Sequence, residues 1–297
     1  MEKKILIYEN DLKFMTKADL SSNLIEFTSD DIKNKSTMNL NTVEYRMNEA
    51  AKVHFFMVDY SHLDLKNINR LFNQQTYDCC ELLFLNNNKL SGKIDLTNFK
   101  NLKIVDVQHN SLSELILPET IIEITANDNK LEQIQSNLDN LERLLINNNK
   151  ITNIEKYINL ELLECASNNI ERINLYPKVK KIIAHNNPLK YIDSNFLLSY
   201  LDIVECPIES IPNLPNLKHL VASNTRLTEL DPTKFCYLEF IEIIGTPIKR
   251  LSYFENFDII LCSYELTNKL SSKYKTIANA IITIKGSIVS ISKNLSI

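Results

Sequence analysis

The chain has 297 residues and a formal net charge of −4, with 33 lysines and arginines against 37 aspartates and glutamates. Its 44% hydrophobic and 24% charged residues are typical of a globular protein and exclude a wholly disordered chain. It has no excess of cations to neutralise phosphates, so we expect no general binding of nucleic acid.

The N-terminal region, residues 1–52, is expected to form a cap with one or more degenerate repeats. Its first apolar stretch, Ile5–Tyr8, is too short for a secretory signal and is followed by acidic residues. No segment approaches the roughly 18 consecutive apolar residues of a membrane-spanning helix. We therefore expect a cytoplasmic protein that does not bind membranes, and we interpret its 6 cysteines as reduced thiols.

Residues 53–265 repeat one pattern, with apolar residues at the first, fourth, sixth and eleventh positions and a polar residue at the ninth. One such turn reads Leu141, Leu144, Ile146, Asn149 and Ile151. Nine turns match this frame, and their ninth positions lie 19 to 22 residues apart. The ninth residues are Asn88, Asn110, Asn129, Asn149, Asn168, Asn187, Cys206, Thr225 and Thr246.

The abundance of asparagine, 37 residues against only 3 glycines, indicates one repeated structural use. The alternating apolar residues predict a short strand, and stacked strands would share one continuous core. At the ninth position the chain leaves the strand, and an inward carboxamide can both donate to and accept from backbone groups that lack partners. Cys206, Thr225 and Thr246 can make part of this bonding, so Cys206 is expected to be structural rather than reactive. The asparagines just before it, such as Asn147 and Asn148, are expected on an exposed bend.

This pattern resembles that of leucine-rich-repeat proteins, and the resemblance covers about nine or ten repeats. It implies an α/β-type solenoid, a right-handed curved array with a parallel β-sheet on its concave face. Because each repeat leaves about ten residues for the return path, the convex side is expected to be mostly extended or 3₁₀. One longer repeat leaves room for a short helix at Leu65–Gln75. The short repeat is similar to bacterial-effector and giant-virus proteins of this family, which would imply the host cytoplasm.

The C-terminal region, residues 266–297, is expected to be a β-rich cap. Asn279–Ile291 contains two β-rich runs around a Lys-Gly turn, a pattern typical of a hairpin. Such a hairpin would cover the last turn of the core. A separate small domain is the alternative, although about 30 residues can bury little core alone.

The sequence predicts no catalytic residues, no metal site and no cofactor. None of the 5 histidines forms a metal-ligand spacing with a cysteine or another histidine. Three glycines cannot build a phosphate-binding loop. The adjacent Cys79 and Cys80 could form a redox switch, but Cys80 occupies a core position of the frame. We therefore expect no enzyme activity.

Binding is expected on the concave sheet, whose outward residues occupy the third, fifth, seventh and eighth positions. In the nine turns these carry seven acids and two bases, which favours a protein partner with a basic surface. The acids are Asp106, Glu123, Asp128, Glu164, Asp202, Glu205 and Glu242, and the bases are Arg143 and Lys181.

Aromatic and apolar residues join these charges in the C-terminal half of the array, as at a protein-binding hot spot. The candidate binding residues are Lys181, Ile183, Tyr200, Asp202, Val204, His219, Val221, Phe240 and Glu242. The alternative is that exposed apolar residues only raise the strand propensity of the sheet.

We therefore interpret the chain as a monomeric, non-catalytic protein-interaction module that binds its partner on the concave face. Two alternatives stay open: a scaffold within a larger assembly, and a regulator with chemistry on its terminal segments.

Overall fold

Short strands dominate the described part of the chain. In the computed structural model, residues 57–135, 137–174, 176–249, 259–263, 280–285 and 288–293 are described, the last three ranges by their backbone alone. All of them belong to the unit Ala50–Ile297. The predicted N-terminal region, 1–52, lies outside the described residues and stays a prediction.

The strands are β1 (Met57–Asp59), β2 (Leu82–Phe84), β3 (Ser91–Asp95), β4 (Ile104–Asp106), β5 (Ser111–Ile116), β6 (Glu123–Thr125), β7 (Gln133–Gln135), β8 (Arg143–Leu145), β9 (Leu162–Glu164), β10 (Arg172–Ile173), β11 (Lys181–Ile183), β12 (Tyr191–Ile192), β13 (Tyr200–Asp202), β14 (His219–Val221), β15 (Phe240–Glu242), β16 (Ile259–Ser263), β17 (Ala280–Lys285) and β18 (Ile288–Lys293).

Thirteen of these strands form one sheet, the main sheet, in the order β1-β2-β4-β6-β8-β9-β11-β13-β14-β15-β16-β17-β18. Its neighbours are parallel except for the last pair, β17 and β18, which is antiparallel. The strands are in register, so the fourth positions of the repeat pair across the sheet, as Leu144 does with Leu163. Residues at one repeat position therefore form a row across the sheet.

The core lies behind the main sheet and is formed by the apolar positions of the repeat. In the turn that starts at Leu141, the side chains of Leu141, Leu144 and Ile146 have no exposed area, and Ile151 is 1% exposed. Burying one such side chain contributes roughly 1.5–3 kcal/mol. A single turn cannot shield these residues, so the stack of turns is what stabilises each of them.

The asparagines at the ninth position join successive turns. Asn168 Oδ1 accepts a hydrogen bond from the Ile151 amide at 2.9 Å, and its Nδ2 donates to the carbonyls of Ile146 and Cys165 at 2.9 and 3.1 Å. Ile146 and Ile151 belong to the preceding turn, whereas Cys165 belongs to the same turn. The same set of three contacts is made by Asn88, Asn110, Asn129, Asn149 and Asn187.

The last three described ninth positions bond differently. Cys206 Sγ lies 3.3 Å from the Ala184 carbonyl of the preceding turn, so it keeps one of the bonds between turns. Thr225 and Thr246 donate only within their own turns, Thr225 to Ala222 O at 2.8 Å. A threonine side chain is too short to make the asparagine contacts with the preceding turn.

The bend after each strand has left-handed backbone at the eighth position. The non-glycine residues there have φ between 54° and 58°. They are Asn87, His109, Asp128, Asn148, Ser167, Asn186, Glu205 and Asn224. Gly245 takes this place in the last described bend, where a Cβ would overlap the Asn224 carboxamide.

A second asparagine ladder lies just before the first position of the repeat. Asn101, Asn140, Asn159 and Asn216 each donate from Nδ2 to a backbone carbonyl of the preceding turn, at 2.5 to 3.0 Å. The sequence frame covered only eleven positions and did not predict this ladder. It accounts for a further part of the asparagine excess.

The return path is mostly extended, as the repeat length predicted. It contains the parallel sheets β3-β5-β7 and β10-β12 and a 3₁₀ turn at Pro232–Lys234. The helix predicted at Leu65–Gln75 was wrong, because the structure has helix α1 at Gln74–Cys79 instead. Asn73 fixes this start, since its side chain accepts from the Thr76 amide at 2.9 Å and caps the helix.

The main sheet continues into the C-terminal region. Ile241 of β15 pairs with Ile260 of β16, which pairs with Ile281 of β17. Strands β17 and β18 pair antiparallel, with Lys285 opposite Ile288, and β17 also continues the parallel array. The boundary of a cap at residues 266–297 stays a prediction.

Candidate protein-binding face

The nine candidate residues lie on one part of the main sheet. Strands β11, β13, β14 and β15 are consecutive there, and all nine side chains are half-buried. Their third positions pair in the order Lys181, Tyr200, His219 and Phe240. Their fifth positions pair in the order Ile183, Asp202, Val221 and Glu242. Val204 follows β13 at the seventh position. The structure thus brings together the residues that the sequence selected, and their role in binding stays a prediction.

The third positions form a row of rings, which we call the aromatic row: Tyr200, His219 and Phe240. The ring centres of Tyr200 and His219 are 6.0 Å apart, and those of His219 and Phe240 are also 6.0 Å apart. The planes are tilted by 37° and 42°, within the range of favourable ring contacts. Parallel pairing in register places one ring on each strand, so the row is a direct result of the repeat.

Lys181 extends this row at the β11 end. Its Nζ lies 5.4 Å from the centre of the Tyr200 ring and 3.5 Å from Glu164 Oε1. The ammonium therefore has a cation–π contact on one side and an ion pair on the other.

Tyr200 is in an environment that disfavours its phenolate. Partial burial raises the pKa of Tyr200, and the carboxylates of Asp202, Glu242 and Glu164 raise it further. The ring is therefore a neutral hydrogen-bonding and stacking group near physiological pH.

Fewer acids of the main sheet are free to contact a partner than their number in the sequence suggests. Asp106 is only 7% exposed, and its carboxylate accepts from the Gln108 amide at 2.9 Å. The expectation that Asp106 belongs to the exposed charge of this face was therefore wrong. Glu123 pairs with Arg143 at 2.9 Å, as Glu164 does with Lys181.

Asp202 and Glu242 differ from these paired acids. Asp202 Oδ1 accepts from the Val204 amide at 3.2 Å, and Glu242 Oε1 accepts from Ser223 Oγ at 2.7 Å. Within the described residues, neither carboxylate has a lysine, arginine or histidine as an ion-pair partner. Both lie on the strands that flank Val221.

The thiols in the core are held in their protonated form. Burial raises the pKa of Cys80 to about 12 and that of Cys206 to about 11, and it also raises the pKa of Cys165. Thiolates are the reactive form, so these three side chains are poor nucleophiles. Cys79 is half-buried and Cys236 is exposed. Among the described residues, no group of three or more His, Cys, Asp or Glu side chains is placed to hold a metal ion.

A cleft of about 450 Å³ lies away from the main sheet, on the return path. Its lining includes Glu132, Leu138, Glu155 and Tyr157. The sequence frame gave no signal for it, because the frame covers the strand and bend of each repeat. No helix in the described part of the chain combines the length and hydrophobicity needed to cross a bilayer.

Solved structures with similar architecture are known, whereas no protein-family profile and no curated protein matches the chain. The leucine-rich-repeat domain of LRIM1 matches with a TM-score of 0.55 and 16% identity, over 80% of each chain. YopM, a leucine-rich effector protein from Yersinia pestis, matches with a TM-score of 0.52 and 22% identity, over 62% of this chain and 60% of that one. This is a leucine-rich-repeat fold.

Some of the leucine-rich-repeat neighbours were solved as complexes, with either RNA or another protein. TLR13 in complex with single-stranded RNA matches with a TM-score of 0.57 and 16% identity, over 82% of this chain and 45% of that one. LRIM1 was also solved in a complex with APL1C. The chain spans about half of the length of these larger neighbours, 52% and 45%. The predicted solenoid of parallel strands is confirmed, and the low identities limit the comparison to the fold.

Proposed function

We propose that this protein is a non-catalytic interaction module whose partner is a protein that docks on the outward face of strands β11, β13, β14 and β15. The observation that carries this proposal is the aromatic row, Tyr200, His219 and Phe240, which presents three half-buried rings side by side. Aromatic side chains next to apolar residues and surrounded by charge are typical of the centres of protein interfaces. The fold is compatible with the proposal, since a complex with another protein occurs among the structural neighbours.

The charge of this face favours a protein with a basic surface over a nucleic acid. Asp202 and Glu242 lie beside the rings, and Lys181 is already paired with Glu164. A phosphate backbone would meet uncompensated carboxylates there, whereas a basic protein surface would be attracted to them. We further propose that the protein is a monomer in the cytoplasm.

The test is affinity capture of partners from the cell of origin, with the intact chain as bait. The binding-face variant is Tyr200→Ala with Phe240→Ala. The matched control is Tyr191→Ala with Phe196→Ala, since these side chains are 63% and 66% exposed and lie outside the main sheet. We expect at least one captured protein to be lost with the first variant and retained with the control. Equal capture by a folded binding-face variant would refute the proposal.

A second candidate function is a scaffold that assembles through the edge of the array. It is favoured by exposed apolar side chains at the turns that precede the strands, namely Ile158, Phe196, Leu197 and Tyr237, which are 46% to 66% exposed. The control variant of the same experiment tests it, because loss of a partner with Tyr191→Ala and Phe196→Ala would point to this edge. The other alternative, a regulator with chemistry on its terminal segments, involves residues that lie partly outside the described ranges.

A further inference from the structure

The main sheet neutralises some of its carboxylates with its own cations and leaves others without one. Glu123 on β6 pairs with Arg143 on the next strand, and Glu164 on β9 pairs with Lys181 on the next strand. After β11 the third positions carry rings instead of cations, because they are Tyr200, His219 and Phe240. The fifth positions, however, continue to carry acids at Asp202 and Glu242.

The two carboxylates flank one strand. Asp202 pairs with Val221, and Val221 pairs with Glu242, so their backbones are two strand spacings apart, or about 10 Å. Each carboxylate uses one oxygen in a hydrogen bond to a neighbouring Val204 amide or Ser223 hydroxyl. The second oxygen of each makes no hydrogen bond within the described residues. The two carboxylates therefore belong to residues on either side of Val221 in the row of fifth positions, and we call the place between them, over Val221 and next to His219 on the same strand, the gap.

Lys181 shows the kind of group that such surroundings hold. Its ammonium is placed between an aromatic ring, Tyr200, and a carboxylate, Glu164, at 5.4 and 3.5 Å. Strands β13 and β15 offer the same pair of elements, a ring at the third position and a carboxylate at the fifth, whereas β14 between them carries His219 and Val221. Within the described residues no cation pairs with these two carboxylates, and a basic group of a partner protein would complement them.

We propose, on the basis of the proposed function, that this gap receives an arginine side chain from an extended segment of the partner protein. A guanidinium is planar and has donors along more than one edge, so it can reach the carboxylates of Asp202 and Glu242 together. Its flat faces stack on aromatic rings, here His219 and Phe240. A lysine ammonium is a compact point charge and reaches one of the two acceptors well, so arginine is preferred over lysine.

The test is selection of random 12-residue peptides, displayed on phage, against the immobilised full chain. We expect the selected peptides that depend on Tyr200 and Phe240 to be enriched in arginine over lysine. In the best peptide, replacement of its arginine by lysine, or by the neutral isostere citrulline, is expected to weaken binding about tenfold or more. The variant Asp202→Asn with Glu242→Gln, which keeps the side-chain shapes, is expected to cause a loss of similar size.

The control for loss of two negative charges is Asp139→Asn with Glu132→Gln on the return path, which should leave peptide binding within about twofold of the intact chain. Peptides that need Tyr200 and Phe240 but tolerate Asp202→Asn with Glu242→Gln would overturn the arginine inference and leave the proposed function standing. If no selected peptide depends on the aromatic row, or if a random single-stranded RNA pool binds this face instead, both proposals fail.

Discussion

The ammonium of Lys181 lies between the ring of Tyr200 and the carboxylate of Glu164, at 5.4 Å from the ring centre and 3.5 Å from Oε1. The three residues belong to three consecutive strands, β9, β11 and β13. One cation therefore joins three turns across the face of the main sheet. It also separates a region of the face that is internally paired from the region of the aromatic row.

Replacement of Lys181 by methionine tests the contribution of this cation to stability. The variant keeps the apolar stem but loses the charge, and we expect the free energy of unfolding to fall by about 0.5–1 kcal/mol. The Lys181 side chain is 39% exposed, so solvent screens the interaction and the effect stays small. Urea unfolding at low and high salt measures it, and the difference from the intact chain should shrink at high salt.

The matched control is Lys130→Met, because Lys130 is exposed and has no ion pair within the described residues. A loss of stability at Lys130 as large as that at Lys181 would mean that the contacts of Lys181 are without net effect.

Replacement of a buried asparagine at the ninth position is expected to lower the stability of the protein more than the change at Lys181. Asn168 is 6% exposed, and Asn168→Ala would leave the Ile151 amide without its bond, whereas the Ile146 carbonyl would keep its bond from Asn149 Nδ2. An unsatisfied buried group costs about 1–3 kcal/mol, so we expect a loss of that size in the free energy of unfolding. Asn213→Ala is the control, since Asn213 is exposed. Urea denaturation monitored by circular dichroism compares them, and equal midpoints for the two variants would contradict the expectation.

The repeat explains why so much of the fold could be predicted from the sequence. Residues such as Leu144 and Leu163 occupy the same frame position, and parallel strands in register must pair them. By the same rule Tyr200, His219 and Phe240, which share the third position, form one row with ring centres 6.0 Å apart. A position in a periodic frame thus determines both the strand neighbour and the face of the sheet.

Features that depend on neighbouring side chains or on local capping could not be predicted from the repeat frame. The pairing of Glu164 with Lys181 depends on which rotamers meet across two strands, and the burial of Asp106 depends on how Gln108 covers it. Helix α1 begins where Asn73 can cap it rather than where the apolar pattern starts. The sequence already placed Asp202 and Glu242 among the candidate binding residues, but their hydrogen bonds to Val204 and Ser223, and the lack of an ion pair for either within the described residues, appear only in the structure.

The reactivity of the thiols can be predicted from their burial. Because burial raises the pKa of Cys80 to about 12 and that of Cys206 to about 11, both remain protonated at pH 8. We expect a maleimide reagent to label the exposed Cys236 within minutes, whereas Cys80, Cys165 and Cys206 react only after unfolding in urea. Peptide mapping by mass spectrometry reads each site separately. Rapid labelling of Cys80 in the folded protein would contradict this packing. It would favour the alternative that Cys79 and Cys80 form a redox switch.

The bend at Glu205 offers a route to a more stable protein. Glu205 is exposed and has a φ of 58°, a left-handed conformation that costs an ordinary residue roughly 1–2 kcal/mol and costs asparagine less. We therefore expect Glu205→Asn to raise the free energy of unfolding by about 0.5–1 kcal/mol, measured by urea denaturation. The reverse change at an equivalent bend, Asn186→Glu, should lower it by a similar amount.

The control for the lost charge at this bend is Glu209→Asn, since Glu209 is exposed but is not among the left-handed residues. If Glu209→Asn stabilises the protein as much as Glu205→Asn does, the gain comes from charge and not from the backbone of the bend. The backbone explanation requires a gain at Glu205, a loss at Asn186 and little change at Glu209, because only the first two positions carry the left-handed conformation.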